Sequence, residues 1–332
     1  MSGIALAGGW AADLLLGDPR RGHPVAGFGR IALALERALW APSRVRGVAF
    51  AGLLVGGAAL LAELAARRLG RGAALAALTW AALGGRSLAR AGRAVAERVE
   101  QDDLEEARAA LPALCGRDPA ALDGPELCRA TVESLAENTS DAVVGALLWG
   151  AVAGPAGVAA FRAANTLDAM VGHRSERHAR FGWAAARLDD AMGWPAARLG
   201  AALTAACAPL AGGSPRAAWR ALRRDGAAHP SPNAGRMEAA FAGALGVRLG
   251  GPLAYGGRVE TRPALNAPGR PPAPRDVQRA ARLSLAVGAA AAMACAALRE
   301  TLAWRRSAGR SPARRARARG PLARRSSAEA LA

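Results

Sequence analysis

The sequence predicts an all-α fold, and within it a polytopic integral membrane protein with about 4–6 apolar helices and polar helical loops between them. Three observations lead there. Hydrophobic residues make up 52% of the 332 positions but aromatics only 4%, with alanine and glycine supplying much of the apolar count. Alanine favours helices, and runs of Val, Ile and Thr at period two are scarce. Several nearly charge-free segments are bracketed by arginines, among them Arg44 and Arg46, Arg67, Arg68 and Arg71, and Arg299, Arg305 and Arg306.

Taken in order, the apolar segments are Gly3–Leu16 (broken by Asp13), Gly47–Leu64 (broken by Glu63), Gly72–Gly85, Ala142–Phe161, Leu199–Pro215 and Leu283–Leu298. A spanning helix needs roughly 20 apolar residues. Ala142–Phe161 meets that cleanly, but Gly145, Gly150, Gly154, Pro155 and Gly157 suit a broken or re-entrant segment as well as a straight one. Arg86–Asp141 reads as polar and helical, and Gly212–Arg282 as a second polar section rich in Pro and Gly turns. The expected organisation is a membrane-embedded domain over residues 1–304 and a basic, disordered tail over 305–332. Nothing at the N-terminus resembles a basic n-region, so no cleaved signal peptide is expected.

The formal net charge is +18, carried by arginine alone because the chain has no lysine. Codon bias in a GC-rich genome accounts for arginine and alanine together; affinity for phosphates or anionic lipid is the functional alternative. No nucleic-acid-binding motif accompanies the charge, and aromatics for base stacking are few, so no nucleic-acid partner is expected. Cys115, Cys128, Cys207 and Cys295 lie far apart and form no C-x-x-C, which signals neither a zinc site nor a disulfide framework. Walker A, H-E-x-x-H and G-x-S-x-G motifs are all absent.

Polar clusters abut the apolar segments. In E-S-L-A-E-N-T-S-D, Glu133, Glu137 and Asp141 recur every four residues and share one face of a helix, with Asn138 beside them. Like charges so placed need an answering cation, so the face is either a Mg²⁺ or amine site or simply solvated. In N-T-L-D, Asn165 and Asp168 stand at i and i+3, able to share a ligand, or Asn165 caps a helix. The segment H-R-S-E-R-H-A-R-F-G-W-A-A-A-R-L-D-D gathers Arg174, Arg177, Arg180 and Arg187 with Glu176, Asp189 and Asp190. Arginine forks suit phosphate or carboxylate and adjacent aspartates suit a hard cation; surface ion pairs are the plain alternative. Asp13, Asp18 and His23 surround an N-terminal Pro/Gly turn. His229, Ser231, Asn233 and Glu238 belong to a stretch with the look of a rigid, ligand-facing loop.

In fixed order the chain carries G-D-P…H-P-V (Gly17–Val25), E-S-L-A-E-N-x-x-D (Glu133–Asp141), N-T-L-D-x-M-V-G (Asn165–Gly172), E-R (Glu176–Arg177) and F-G-W-A-x-A-R-L-D-D (Phe181–Asp190). H-P-S-P-N-A-G (His229–Gly235), A-G-A-L-G-V-R-L-G-G-P (Ala242–Pro252) and R-P-P-x-P (Arg270–Pro274) follow. Together they resemble the CbiB/CobD family of cobalamin-biosynthesis proteins, the adenosylcobinamide-phosphate synthases. The departures are a shorter spacer, Arg20–Gly22, before H-P-V, His173 and His178 in place of tyrosines, Arg174 in place of lysine, and Arg236-Met237 in place of Trp-Pro.

The resemblance implies a multi-pass protein of the inner membrane that joins (R)-1-amino-2-propanol phosphate to the propionate carboxylate of adenosylcobyric acid. ATP and Mg²⁺ are the implied co-substrate and metal; membrane lipid and other corrinoid-pathway enzymes are the implied partners. The resemblance supports these blocks and residue type suggests the roles: Arg177, Arg180 and Arg187 hold phosphate, and Asp189 and Asp190 hold Mg²⁺. Glu137 and Asp141 hold the ammonium group or take its proton, with Asp168 as the third catalytic candidate. Asn138, Asn165, His229, Ser231 and Asn233 orient the substrates. A corrinoid-binding or transport component without ligase chemistry would use the same intramembrane polar residues.

Overall fold

A computed structural model of the chain describes residues 2–18, 22–173, 175–255 and 258–308. The order of elements is α1 (Ser2–Leu16), α2 (Pro24–Leu39), α3 (Arg44–Leu69), α4 (Arg71–Ala82), α5 (Gly85–Glu100), α6 (Leu104–Ala110) and α7 (Gly124–Thr139). There follow α8 (Gly145–Ala153), α9 (Pro155–Leu167), α10 (Trp183–Cys207), α11 (Pro215–Asp225), α12 (Ala234–Leu245), an antiparallel hairpin β1 (Leu249–Tyr255) and β2 (Arg258–Leu265), and α13 (Pro274–Ala308).

α13 is the central post. It packs against α1, α5, α7, α8 and α10, and its Val277, Ala281, Val287 and Ala291 join the main core. That core is rich in alanine, with Leu135, Leu147, Phe161 and Phe241 among its bulky members. Small side chains let helix backbones approach closely, which is why apolar runs poor in large residues pack here rather than extend into solvent. A second cluster ties α2 and α3 to α9 and α10 through Phe50 and Phe181, whose rings stand 5.0 Å apart.

The structure sharpens the sequence expectations at three points. Two helices among the described residues, Arg44–Leu69 and Pro274–Arg305, are long and apolar enough to cross a bilayer, rather than four to six. Of the other apolar runs, Gly3–Leu16 and Gly72–Gly85 fall mainly on the shorter α1 and α4, and Leu199–Pro215 runs from the end of α10 to the start of α11. Of the two, α3 is the more exposed, with 22% of its most apolar stretch buried against 44% for α13. Its Val45, Val48, Leu53, Leu60 and Leu61 all face outward.

Second, Ala142–Phe161 is broken, the alternative that its glycines and Pro155 left open beside a straight segment. It splits into α8 and α9 at Gly154, whose φ of +70° only glycine adopts without strain, followed by Pro155 at the first position of α9. The two halves fold against each other, and Gly145 lies under the Phe161 ring where a β-carbon would collide.

Third, the fold is not purely helical. The hairpin interrupts the segment read as loop and turn, and its register slips between Leu249 and Gly251. The boundary placed at residue 304 does not coincide with a helix end, because α13 continues to Ala308; residues 309–332 of the expected tail lie outside the described residues.

Candidate active site

α7 is fixed at its start by a capping box, in which Asp123 accepts from the Glu126 amide and the Glu126 carboxylate from the Asp123 amide. From Leu127 to Ala136 every residue is buried, so Glu133 lies within protein. Glu133 accepts from Arg117 Nη2 at 2.5 Å and from the Gly250 amide at 2.7 Å. Arg129, 3.9 Å from the same carboxylate, donates to the carbonyls of Gly250 and Pro252. Glu133 therefore fastens the hairpin to α7.

The three-acid face divides at this point. At Ser140–Val144 the helix opens into a π turn, and Asp141 lies in it. α9 ends in a second π turn, Asp168–Gly172, whose first residue is Asp168. π turns in α-helices recur at functional sites because the extra residue re-aims side chains. α10 carries Asp189 and Asp190 in its second turn. Glu137, Asp141, Asp168, Asp189 and Asp190 are all partly buried.

These acids feel one another. Burial, followed by the charges of Asp189 and Glu137, pushes the Asp141 carboxyl well above the usual carboxylate range. Burial and then Asp168 raise Asp189 to about 7, with the Asn165 side chain pulling the other way. Burial raises Glu137, Asp168 and Asp190 as well. Such a shared field of desolvated carboxylates, drawn from three helices, is what marks the place as a site.

Two arginines that the sequence motifs did not single out answer this field. Arg162 sits one position beyond the apolar run, donates to Asn165 Oδ1 at 3.3 Å, and feels the charges of both Asp141 and Asp18. Asp18 brings the N-terminal G-D-P block to the same place. Arg262 on β2 is the leading positive influence on Glu137. The i, i+3 spacing of Arg162 and Asn165 was the available sequence signal for the first; for Arg262 there was none.

The His229 loop closes the site from the α12 side. The Ser231 amide donates to His229 Nδ1 at 3.0 Å, and Ser231 Oγ accepts from the amides of Asn233 and Ala234. The Asn233 side chain donates to the Asp190 carbonyl at 2.9 Å, which locks the loop to α10. With Nδ1 accepting, the neutral ring carries its proton on Nε2, 3.8 Å from Glu238 Oε1. Both Glu238 oxygens are buried without a hydrogen-bond partner among the described residues. Burial raises the Glu238 carboxyl and lowers His229 to about 4.

The remaining sequence candidates are placed as follows. Asn138 donates to the Ser134 carbonyl and hydroxyl of its own helix. Arg177 donates from Nε and Nη2 to Glu36 Oε1 at 3.2 Å, stacks over Trp40 at 4.5 Å, and shares that carboxylate with His178. Arg187 lies 3.9 Å from Asp190, and Arg180 is exposed. Arg174 lies outside the described residues.

No group of three or more His, Cys, Asp or Glu side chains is arranged to hold a metal ion among the described residues. The donor set is nevertheless oxygen-only, the acids repel one another, and Asp189 Oδ1 is buried without a partner. That fits magnesium, which is held by one or two carboxylates and by substrate phosphates rather than by a protein cage.

Fold and site define a largely helical protein with a carboxylate-rich site between helix ends. The family profile described as CobD/Cbib protein matches residues 6–284, and the chain belongs to that family. It is 55% identical to a cobalamin biosynthesis protein CobD of Mycobacterium tuberculosis (strain ATCC 25618 / H37Rv) over 288 residues, 86% of this chain and 92% of the relative. It is 44% identical to a protein of the same name from Geobacter metallireducens over 78% of this chain and 85% of that one. With a namesake from Rhodobacter capsulatus the identity is 41% over 83% and 88%. No solved structure matches.

Proposed function

We propose that this chain acts in cobalamin biosynthesis as an ATP-dependent amide ligase. It joins the aminopropanol unit, as (R)-1-amino-2-propanol phosphate, to the propionate carboxylate of adenosylcobyric acid and yields adenosylcobinamide phosphate. The observation that carries the reading is the gathering of Asp141, Asp168 and Asp189 at two π turns and a helix start. The substrates are those that the resemblance to the family implies.

Amide formation from a carboxylate needs activation. The corrin carboxylate oxygen attacks the γ-phosphorus of ATP, ADP leaves, the amine nitrogen attacks the acyl carbon, and phosphate departs. Asp189, with Asp141 or Asp190 beside it, would hold magnesium, which neutralises phosphate charge when bound. Glu137 and Asp141, raised by burial, are suited to accept the proton that the ammonium group must lose. Arg162 is placed to balance the negative field, and the His229–Asn233 loop to fix the α10 end of the site.

The chain works in the inner membrane on this reading, with α3 and α13 as its spans. The test is complementation. In a strain lacking its own copy, the wild-type chain restores cobinamide phosphate and Asp141→Asn does not, at equal protein level in the membrane fraction. Full restoration by the variant would remove Asp141 from the mechanism.

A further inference from the structure

We propose that the outer face of α11 is a docking surface for the headgroups of anionic phospholipids at the membrane boundary. α11 buries Ala218, Ala221 and Leu222 inward and packs on α12. That leaves Arg216, Trp219, Arg220, Arg223 and Arg224 on the outside, where they line an open groove of about 810 Å³ whose floor includes Ala205 and Ala206 of α10. Arg224 is engaged, donating from Nε and Nη2 to Asp225 at 2.7 Å. Arg216, Arg220 and Arg223 make no hydrogen bond or ion pair among the described residues.

Three cations on successive turns of one short helix repel one another unless an anion meets them. Two further features identify the anion as part of an amphiphile. The groove joins arginines to apolar lining from Ala205, Ala206 and Pro215, and its Trp219 is 46% exposed. Tryptophan with arginine is the pairing found where protein meets headgroups. The connection from α10 to α11, which borders the groove, is tied to the candidate span α13 on either side of the point where α13 turns apolar, between Arg282 and Leu283. Arg279 donates to the carbonyls of Ala211 and Gly212, and Cys207 Sγ to that of Ala286, which holds the end of α10 and the start of α11 at that level. A headgroup phosphate on the arginines with its glycerol and upper acyl chain along the floor satisfies both halves of the groove.

The test uses the full chain in neutral detergent, titrated with dioleoylphosphatidylglycerol or dioleoylphosphatidylcholine and read by native mass spectrometry and thermal midpoint. Arginines near an anionic surface favour it, so the anionic lipid should bind roughly tenfold more tightly or better. The triple variant Arg216→Gln/Arg220→Gln/Arg223→Gln should bind the two lipids alike. Equal binding of both lipids by the wild type, or an undiminished preference in the triple variant, overturns the proposal. So does inorganic phosphate that displaces the lipid or raises the midpoint as much, because the site would then belong to a soluble anion. If the triple variant fails to fold, the wild type still decides, because its preference must shrink when salt is raised to about 0.5 M.

Discussion

Asp189 faces Asp141 between the start of α10 and the first π turn, and its charge is, after burial, the largest influence lifting the Asp141 carboxyl. Residues from separate motifs thus share one electrostatic environment. Asp168 stands in the same relation to Asp189, as the first charge after burial to raise it. The site is costly for the fold to maintain, which gives it a pH signature.

Asp189 has a folded-state value of about 7 against an ordinary 3.8. The folded chain therefore binds the proton more tightly than the unfolded chain does. Stability associated with this group is full below about pH 4 and declines as pH rises to about 7. Asp189→Asn removes the charge, so it should leave stability unchanged at pH 4 and raise it at pH 8 by on the order of 2 kcal/mol, with solvent screening allowed for. Thermal midpoints of variant and wild type across that range check it. A gap that does not grow with pH would mean that Asp189 is not held neutral by its neighbours.

The Arg117–Glu133 pair predicts a different behaviour. Both side chains are about 5% exposed or less, and Glu133 also holds the Gly250 amide. Arg117→Ala strands a buried carboxylate and should cost about 3 kcal/mol, measured by denaturant midpoint. Arg117→Ala/Glu133→Gln should recover part of that loss. If the single variant is as stable as the wild type, the pair does not anchor the hairpin.

Arg177 should behave as a brace for α2. It bonds to the mostly buried Glu36 and covers Trp40, although it is itself half exposed. Arg177→Ala should lower stability by about 1 kcal/mol and leave KM for ATP and for the aminopropanol phosphate close to wild type. A KM increase of about tenfold at unchanged stability would place the guanidinium on a substrate phosphate instead.

Much of the site was legible in the sequence because short polar motifs survive as local geometry. E-N-T-S-D, N-T-L-D and R-L-D-D each mark a helix end, and the fold brings those ends together. The division of labour within the first motif was not legible. Equal spacing put Glu133 and Asp141 on one face, but Glu133 has Arg117 as a neighbour through folding, and the π turn re-aims Asp141. Arg262 was invisible because its partners come from α7, far along the chain.

Length and composition pick out two candidate spans where about 4–6 apolar helices were expected, and the difference has a physical reason. Alanine- and glycine-rich helices have the same low polarity whether they face lipid or one another. Only length separates them, and Gly154-Pro155 cuts the most apolar run in half. The hairpin was missed because Gly250, Gly251 and Pro252 read as turn residues, whereas they sit in β1, where the irregular register accommodates them.

The most direct measurement is reconstitution. Purified protein in detergent is given adenosylcobyric acid, (R)-1-amino-2-propanol phosphate, ATP and Mg²⁺, and the products are read by mass spectrometry. The account predicts adenosylcobinamide phosphate formed with one ADP per amide bond, abolished in Asp189→Asn at unchanged or raised thermal midpoint. Corrinoid bound but returned unmodified by active, folded protein, or amide formed equally well by the variant, would contradict it.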